Sequence, residues 1–126
     1  MKTYFTIATL VFGTAFAANA GVEGLWRSEK NEQGASISVA ISKCGDAICG
    51  TVAEIQNSSD HSAMNKAMIK GMKSSDNVHY AGGKIYAPDQ EKWYIAKMQL
   101  QGDNKLKVSG CVLGGVICRS QVWTRE

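Results

Sequence analysis

The sequence predicts an all-β fold: a single antiparallel up-and-down barrel of eight strands, with one short helix or irregular loop between strands 3 and 5. Three observations lead there. Apolar and polar residues alternate at period two along most of the chain, as half-buried strands require. Clusters of Gly, Asn, Asp, Pro and Gln separate these runs by hairpin-length links. Four cysteines sit in two close pairs, each around a turn signal. Eight short strands joined this way expose edges unless the sheet closes on itself; an open sandwich is the runner-up.

The first twenty residues stand apart from this pattern. Lys2 gives a positive start, Phe5 to Phe16 form an apolar run, and Ala18-Asn19-Ala20 supplies a small-x-small cleavage site. The run is shorter than the roughly 20 apolar residues a membrane span needs. Residues 1–20 therefore read as a signal peptide and 21–126 as one exported domain, periplasmic or secreted. The chain's net charge is only +3. It shows no basic block and no aromatics interleaved with lysines, so nucleic acid is not an expected partner.

The strands are expected near 24–30, 35–43, 48–56, 67–73, 78–87, 92–101, 105–112 and 117–125. Gly24-Leu25-Trp26 opens the first. In the second, Ile37, Val39 and Ile41 alternate with Ser36, Ser38, Ala40 and Ser42. In the sixth, Tyr94, Ala96, Met98 and Leu100 form one face. In the seventh, Leu106 and Val108 alternate with lysines and Ser109. Ser58 to Lys73 breaks the alternation. There Asp60 is placed to cap a short helix with Ala63, Met64, Ala67 and Met68 on its apolar side.

An even number of cysteines in an exported chain reads as disulfides. The spacings Cys44-x4-Cys49 and Cys111-x6-Cys118 do not match zinc ligation, and no C-x-x-C motif suggests redox chemistry. A two-residue turn at Asp46-Ala47 would set Cys44 opposite Cys49. A type I′ turn at Gly114-Gly115 would set Cys111 opposite Cys118, with a longer loop as the alternative there. Each pair then closes its own hairpin and fixes strand register.

If the sheet closes, the first and last strands become neighbours, and the Arg125 guanidinium can lie across the Trp26 indole. Lipocalins use a similar arrangement, a Gly-x-Trp on the first strand with an Arg from beyond the last. A broader resemblance covers nearly all of residues 21–126. "GLWRSE", "VAISKCGDAICGTV", "AGGKIYAPDQEKWYIAKMQL" and "KLKVSGCVLGGVICRSQVWTR" are similar, in order, to the blocks of domain-of-unknown-function family 2147, small exported bacterial proteins. The resemblance implies a lipocalin-like, or calycin-like, β-barrel and no particular activity. Ala87 stands where that family usually has an aspartate, and Tyr80 where it usually has a tryptophan.

An eight-stranded barrel has room for side chains or one small ligand. Arg119 and Gln121 share a face of strand 8 with Trp123, and Tyr80, Lys84 and Tyr86 are read as sharing a face of strand 5. Turned inward, these five polar groups would line a pocket for a small apolar or amphipathic molecule. Turned outward, they would leave a filled core. No catalytic triad can be assembled, so an enzyme is the less favoured class, and no cofactor is called for. A protein-binding module, such as a loop-based inhibitor of an exported hydrolase, is the alternative. His61, Met64 and Met68 offer a weaker Cu(I) reading, set against methionine's usual role as core filler.

Overall fold

The computed structural model describes residues 21–126; the expected signal peptide lies outside the described residues. The strands are β1 (Gly24–Arg27), β2 (Ser36–Cys44), β3 (Ala47–Gln56), β4 (Ala67–Met72), β5 (His79–Ala87), β6 (Lys92–Leu100), β7 (Lys105–Val112) and β8 (Ile117–Arg125). They pair antiparallel in chain order, and β8 returns to β1 to close the barrel. Period-two patterning thus turns into an inside and an outside. Trp26, Val39, Ile41, Val52, Ile69, Met72, Met98, Leu106 and Trp123 form the buried core.

Closure rests on the two residues whose proximity the sequence suggested. Trp26 is paired directly with Arg125 in the β1–β8 ladder, and the guanidinium carbon lies 4.3 Å from the indole centroid. The same guanidinium donates from Nη1 to the Glu23 carbonyl (2.9 Å), from Nη2 to the Gly21 carbonyl (2.7 Å) and from Nε to the Asp103 carbonyl (2.8 Å). Trp26 Nε1 donates to the Val22 carbonyl. Residues 21–23 are thereby strapped across one end of the barrel, with Val22 buried beneath them. Gly24 is required here: its φ is +135°, and a Cβ would sit 2.8 Å from Arg125 Nη1.

Both disulfides form within their own hairpins, Cys44–Cys49 and Cys111–Cys118. The β2–β3 register differs from expectation. Cys44 pairs with Ala47, and Ser42 with Cys49, so the turn is Gly45-Asp46 and the cysteines lie diagonally, their Cα atoms 5.8 Å apart. The turn places a positive φ (74°) at Gly45, the residue best able to adopt it. At the other hairpin Cys111 faces Cys118, and Gly114 and Gly115 both take positive φ, as a type I′ turn requires. Each bridge closes a loop of a few residues, so the chain-entropy account assigns each about 2 kcal/mol. Full reduction is expected to lower stability by roughly 4 kcal/mol in a denaturant titration while leaving the barrel's circular dichroism intact in water.

The expected helix after Asp60 does not form. Residues 62–65 make a turn, in which Met64 N–H donates to the His61 carbonyl and Lys66 N–H to the Ala63 carbonyl. Ala67 and Met68 already belong to β4. Asn65 takes a positive φ of 64°, which ends any helical run, and Val52 on β3 captures the backbone of Asn65 and Lys66. Sheet pairing has overridden local helical propensity.

Candidate functional site

The barrel is asymmetric along its axis. The end carrying the Gly21–Glu23 strap is packed; the end carrying the β1–β2, β3–β4, β5–β6 and β7–β8 loops is open. A cavity of about 1650 Å³, counting the mouth between these loops, occupies the open half. Apolar side chains from six strands line it, among them Ile37, Val52, Met68, Ile85, Val108 and Trp123. Trp123 marks the floor: it is buried, and its Nε1 donates to Gln121 Oε1 at 2.9 Å.

The open half also has a lateral seam. β1 pairs with β8 only through Trp26–Arg125 and Arg27–Thr124. Beyond Arg27 the chain leaves β8, and the side chains of Glu29 and Gln121 bridge the gap. Glu29 accepts a hydrogen bond from the Val122 N–H at 2.7 Å, while its own N–H donates to Gln121 Oε1 at 3.4 Å. On the outer side, Glu126 accepts from Ser38 Oγ (2.5 Å) and Arg27 Nε (2.8 Å) and so ties the lower seam together. Those two donors hold the Glu126 carboxyl below its ordinary range.

The five residues singled out for binding separate. Arg119 and Gln121 face inward with Trp123 and line the cavity, paired across the ladder with Gly110 and Val108. Strand 5 does not keep one face. The register slips between Tyr80 and Gly83, so Tyr80, Gly83 and Ile85 face the interior, and Lys84 and Tyr86 face the other way. The reason is a β-bulge at Ala81-Gly82, where Gly82 takes a φ of 84°. Tyr86 still reaches the cavity's rim, its ring 5.2 Å from that of Trp93, over which the Lys70 ammonium sits at 4.1 Å. Lys84 is exposed and lines neither cavity.

Tyr80 instead belongs to a smaller cavity of about 310 Å³ at the strapped end, beside Gly21, Val22, Met72, Ser74 and Asn77. Burial pushes its phenol upward from the usual range. Asp76 organises the loop beside it. Its carboxylate accepts from the Val78 and His79 N–H groups at 2.9 and 2.8 Å, from Ser74 Oγ and from the His79 ring. These donors, the His79 backbone N–H foremost, hold the Asp76 carboxyl far below the carboxylate range. A carboxyl depressed on folding stabilises above its unfolded pKa, and that contribution is lost as pH falls through the folded value. Amide exchange at Val78 and His79 is therefore expected to stay slow at pH 5 and above, relative to intrinsic rates, and to lose protection at strongly acidic pH. An Asp76→Asn variant keeps an accepting oxygen but cannot titrate, so its protection there should be weaker and should no longer fall at acidic pH.

Of the residues in the Cu(I) reading, His61 Nε2 is bonded to the Ser58 carbonyl, Met64 packs partly buried on the core, and Met68 is within it. The helical face that would have aligned them is absent. Sequence reasoning missed Glu29, whose role depends on where β1 stops, and Glu126, whose partners lie on β1 and β2. Neither belongs to a local motif.

A closed, eight-stranded antiparallel barrel, packed at one end and open at the other, defines a lipocalin-like protein. Residues 24–125 match the model of the family described as "Uncharacterized protein conserved in bacteria (DUF2147)", and the chain belongs to that family. The fold is similar to that of protein HP1028 from the human pathogen Helicobacter pylori, described as belonging to the lipocalin family. The TM-score is 0.69 at 13% identity, over 83% of this chain and 82% of that one. No curated protein matches the sequence. Among the described residues, no helix is long and apolar enough to cross a membrane.

Proposed function

We propose that this protein is an exported binding barrel that takes one small amphipathic molecule into its open-end cavity. The apolar part of the ligand lies on Val108, Ile85, Met68 and the Trp123 floor, and its polar end meets Arg119 and Gln121. The observation that carries this reading is the pairing of a roomy cavity, apolar on its inner wall and polar around its mouth, with an inward-facing guanidinium that has no carboxylate within salt-bridge distance among the described residues. A cation placed so is matched by an anionic group on a ligand with an apolar body. Two disulfides support export, because such bonds persist in oxidising compartments. The open interior weighs against the loop-based inhibitor, which would be served as well by a filled barrel. Tyr86 contributes at the rim; Tyr80 and Lys84 have no part in this site.

Native mass spectrometry of protein purified from its own host tests the reading. A retained small molecule, released when Arg119 is changed to Glu, is the expected result. A co-purified protein with no small molecule would favour the inhibitor instead.

A further inference from the structure

We propose that the tip of the β7–β8 hairpin is a docking finger for an anionic lipid surface. Four large apolar side chains, two on each side of the Gly114-Gly115 turn, face solvent: Val112 is 42% exposed, Leu113 71%, Val116 81% and Ile117 56%. Soluble surfaces seldom concentrate aliphatic residues in this way without a use for them. Leu113 moreover holds a φ of +53°, a conformation that suits glycine or asparagine and is unfavourable for leucine. The chain thus keeps a strained, solvent-facing leucine where an asparagine would fold more easily. The Cys111–Cys118 bridge lies directly behind the tip and ties its two strands together, and Lys97 on β6 holds the Gly115 carbonyl.

Charge identifies the partner. The β7–β8 hairpin has no acidic side chain, and of the cations on it and on the neighbouring β6, Lys105, Lys107 and Arg125 lie toward the strapped end. Two of the cations stand at the tip. Lys97 donates to the Gly115 carbonyl at 2.9 Å, and Arg119 is one residue beyond Cys118. The acidic side chains of the open end, including Glu29, Asp60 and Glu91, belong to the other three loops, so contact is made hairpin first. A protein interface is a poor fit, because stable ones bury about 800 Å² per partner across some twenty residues. A few inserted aliphatic side chains flanked by cations are enough for reversible attachment to an anionic bilayer. Val112 and Ile117 also line the cavity mouth, so docking would bring that mouth to the lipid. The docking shares Arg119 with the proposed ligand site, but its test, made at Leu113 and Val116, does not depend on that reading.

The test is co-sedimentation of the protein, as its host produces it, with phosphatidylglycerol-containing and pure phosphatidylcholine vesicles. Binding is expected to favour the anionic vesicles, and a Leu113→Asn/Val116→Ser variant should bind them about tenfold less. Its melting temperature should not fall, since both side chains are exposed and asparagine suits the backbone at 113. Independently, Val116→Trp should give tryptophan emission that is quenched by lipids brominated in the acyl chain, which reports the tip whatever the N-terminus does. Unquenched emission, or equal binding by the double variant, would overturn the proposal. So would a wild-type dimer that ignores vesicles and dissociates in the double variant; that outcome would assign the finger to a second copy of the chain.

Discussion

Changing Arg125 to alanine is expected to destabilise the barrel by about 3 kcal/mol, a fall in melting temperature of roughly 12 °C or more for a domain of this size. One guanidinium makes three hydrogen bonds to carbonyls of the strap and the β6–β7 turn, and covers the Trp26 indole. Removing it leaves the carbonyls of Gly21 and Glu23 without that donor and frees the strap over Val22. Arg125→Lys keeps the charge but cannot fork between two carbonyls, so it should recover less than half of the loss. Thermal unfolding followed by tryptophan fluorescence measures both. A wild-type melting curve for Arg125→Ala would mean that the strap, and not the arginine, seals this end.

Gly83→Ala is expected to cost about 3 kcal/mol, at the upper end for overpacking. Gly83 lies on β5 opposite Ala96, where β4 approaches closely. A Cβ there would fall on the Lys70 carbonyl oxygen and come within 2.7 Å of the buried Met72 Sδ. The backbone of β4 must move, and the ladder joining Ile69 to Ile85 and Lys70 to Lys84 should loosen first. Urea titration gives the magnitude, and faster amide exchange in β4 and β5 than elsewhere gives the location. Gly110 provides the internal comparison. A Cβ at that position meets Ile85 Cγ2 at 3.4 Å, an ordinary contact, so Gly110→Ala should change stability by under about 1 kcal/mol.

The barrel was legible because its strands carry alternation strong enough to specify an inside. Ile37, Val39 and Ile41 face inward as the pattern requires, and seven strands lie close to their expected spans; β1, expected to run to about residue 30, stops at Arg27. Trp26 and Arg125 were legible as a pair only once closure was assumed; neither has a local partner. What escaped reading depends on single-residue slips. One extra residue at Ala81-Gly82 reverses Lys84 and Tyr86 relative to Tyr80, and nothing in the composition of "HYAGGKIYA" says on which side of the glycines the face changes. The β2–β3 turn shifted by one residue for the same kind of reason, with Gly45 and not Asp46 taking the first turn position. The apolar side of Ala63, Met64, Ala67 and Met68 suggested a helix, yet the β3 backbone claims that segment as an edge to pair with. Strand parity placed Arg119 and Gln121 on one face with Trp123 without saying which way it turns, whereas Glu29 was not singled out, because the early end of β1 that frees it leaves no mark in the residues after Arg27.

The most direct measurement is titration of the protein with a straight-chain alkyl carboxylate brominated near its tail, read by tryptophan emission. Trp123 forms the floor of the open cavity, while Trp26 is sealed beneath Arg125 and Trp93 lies at the outer rim. Saturable quenching is expected that disappears in Trp123→Phe and weakens about tenfold in affinity in Arg119→Gln, the loss of one charge-assisted contact. Quenching that never saturates, or that persists unchanged without Trp123, would contradict a ligand seated inside the barrel.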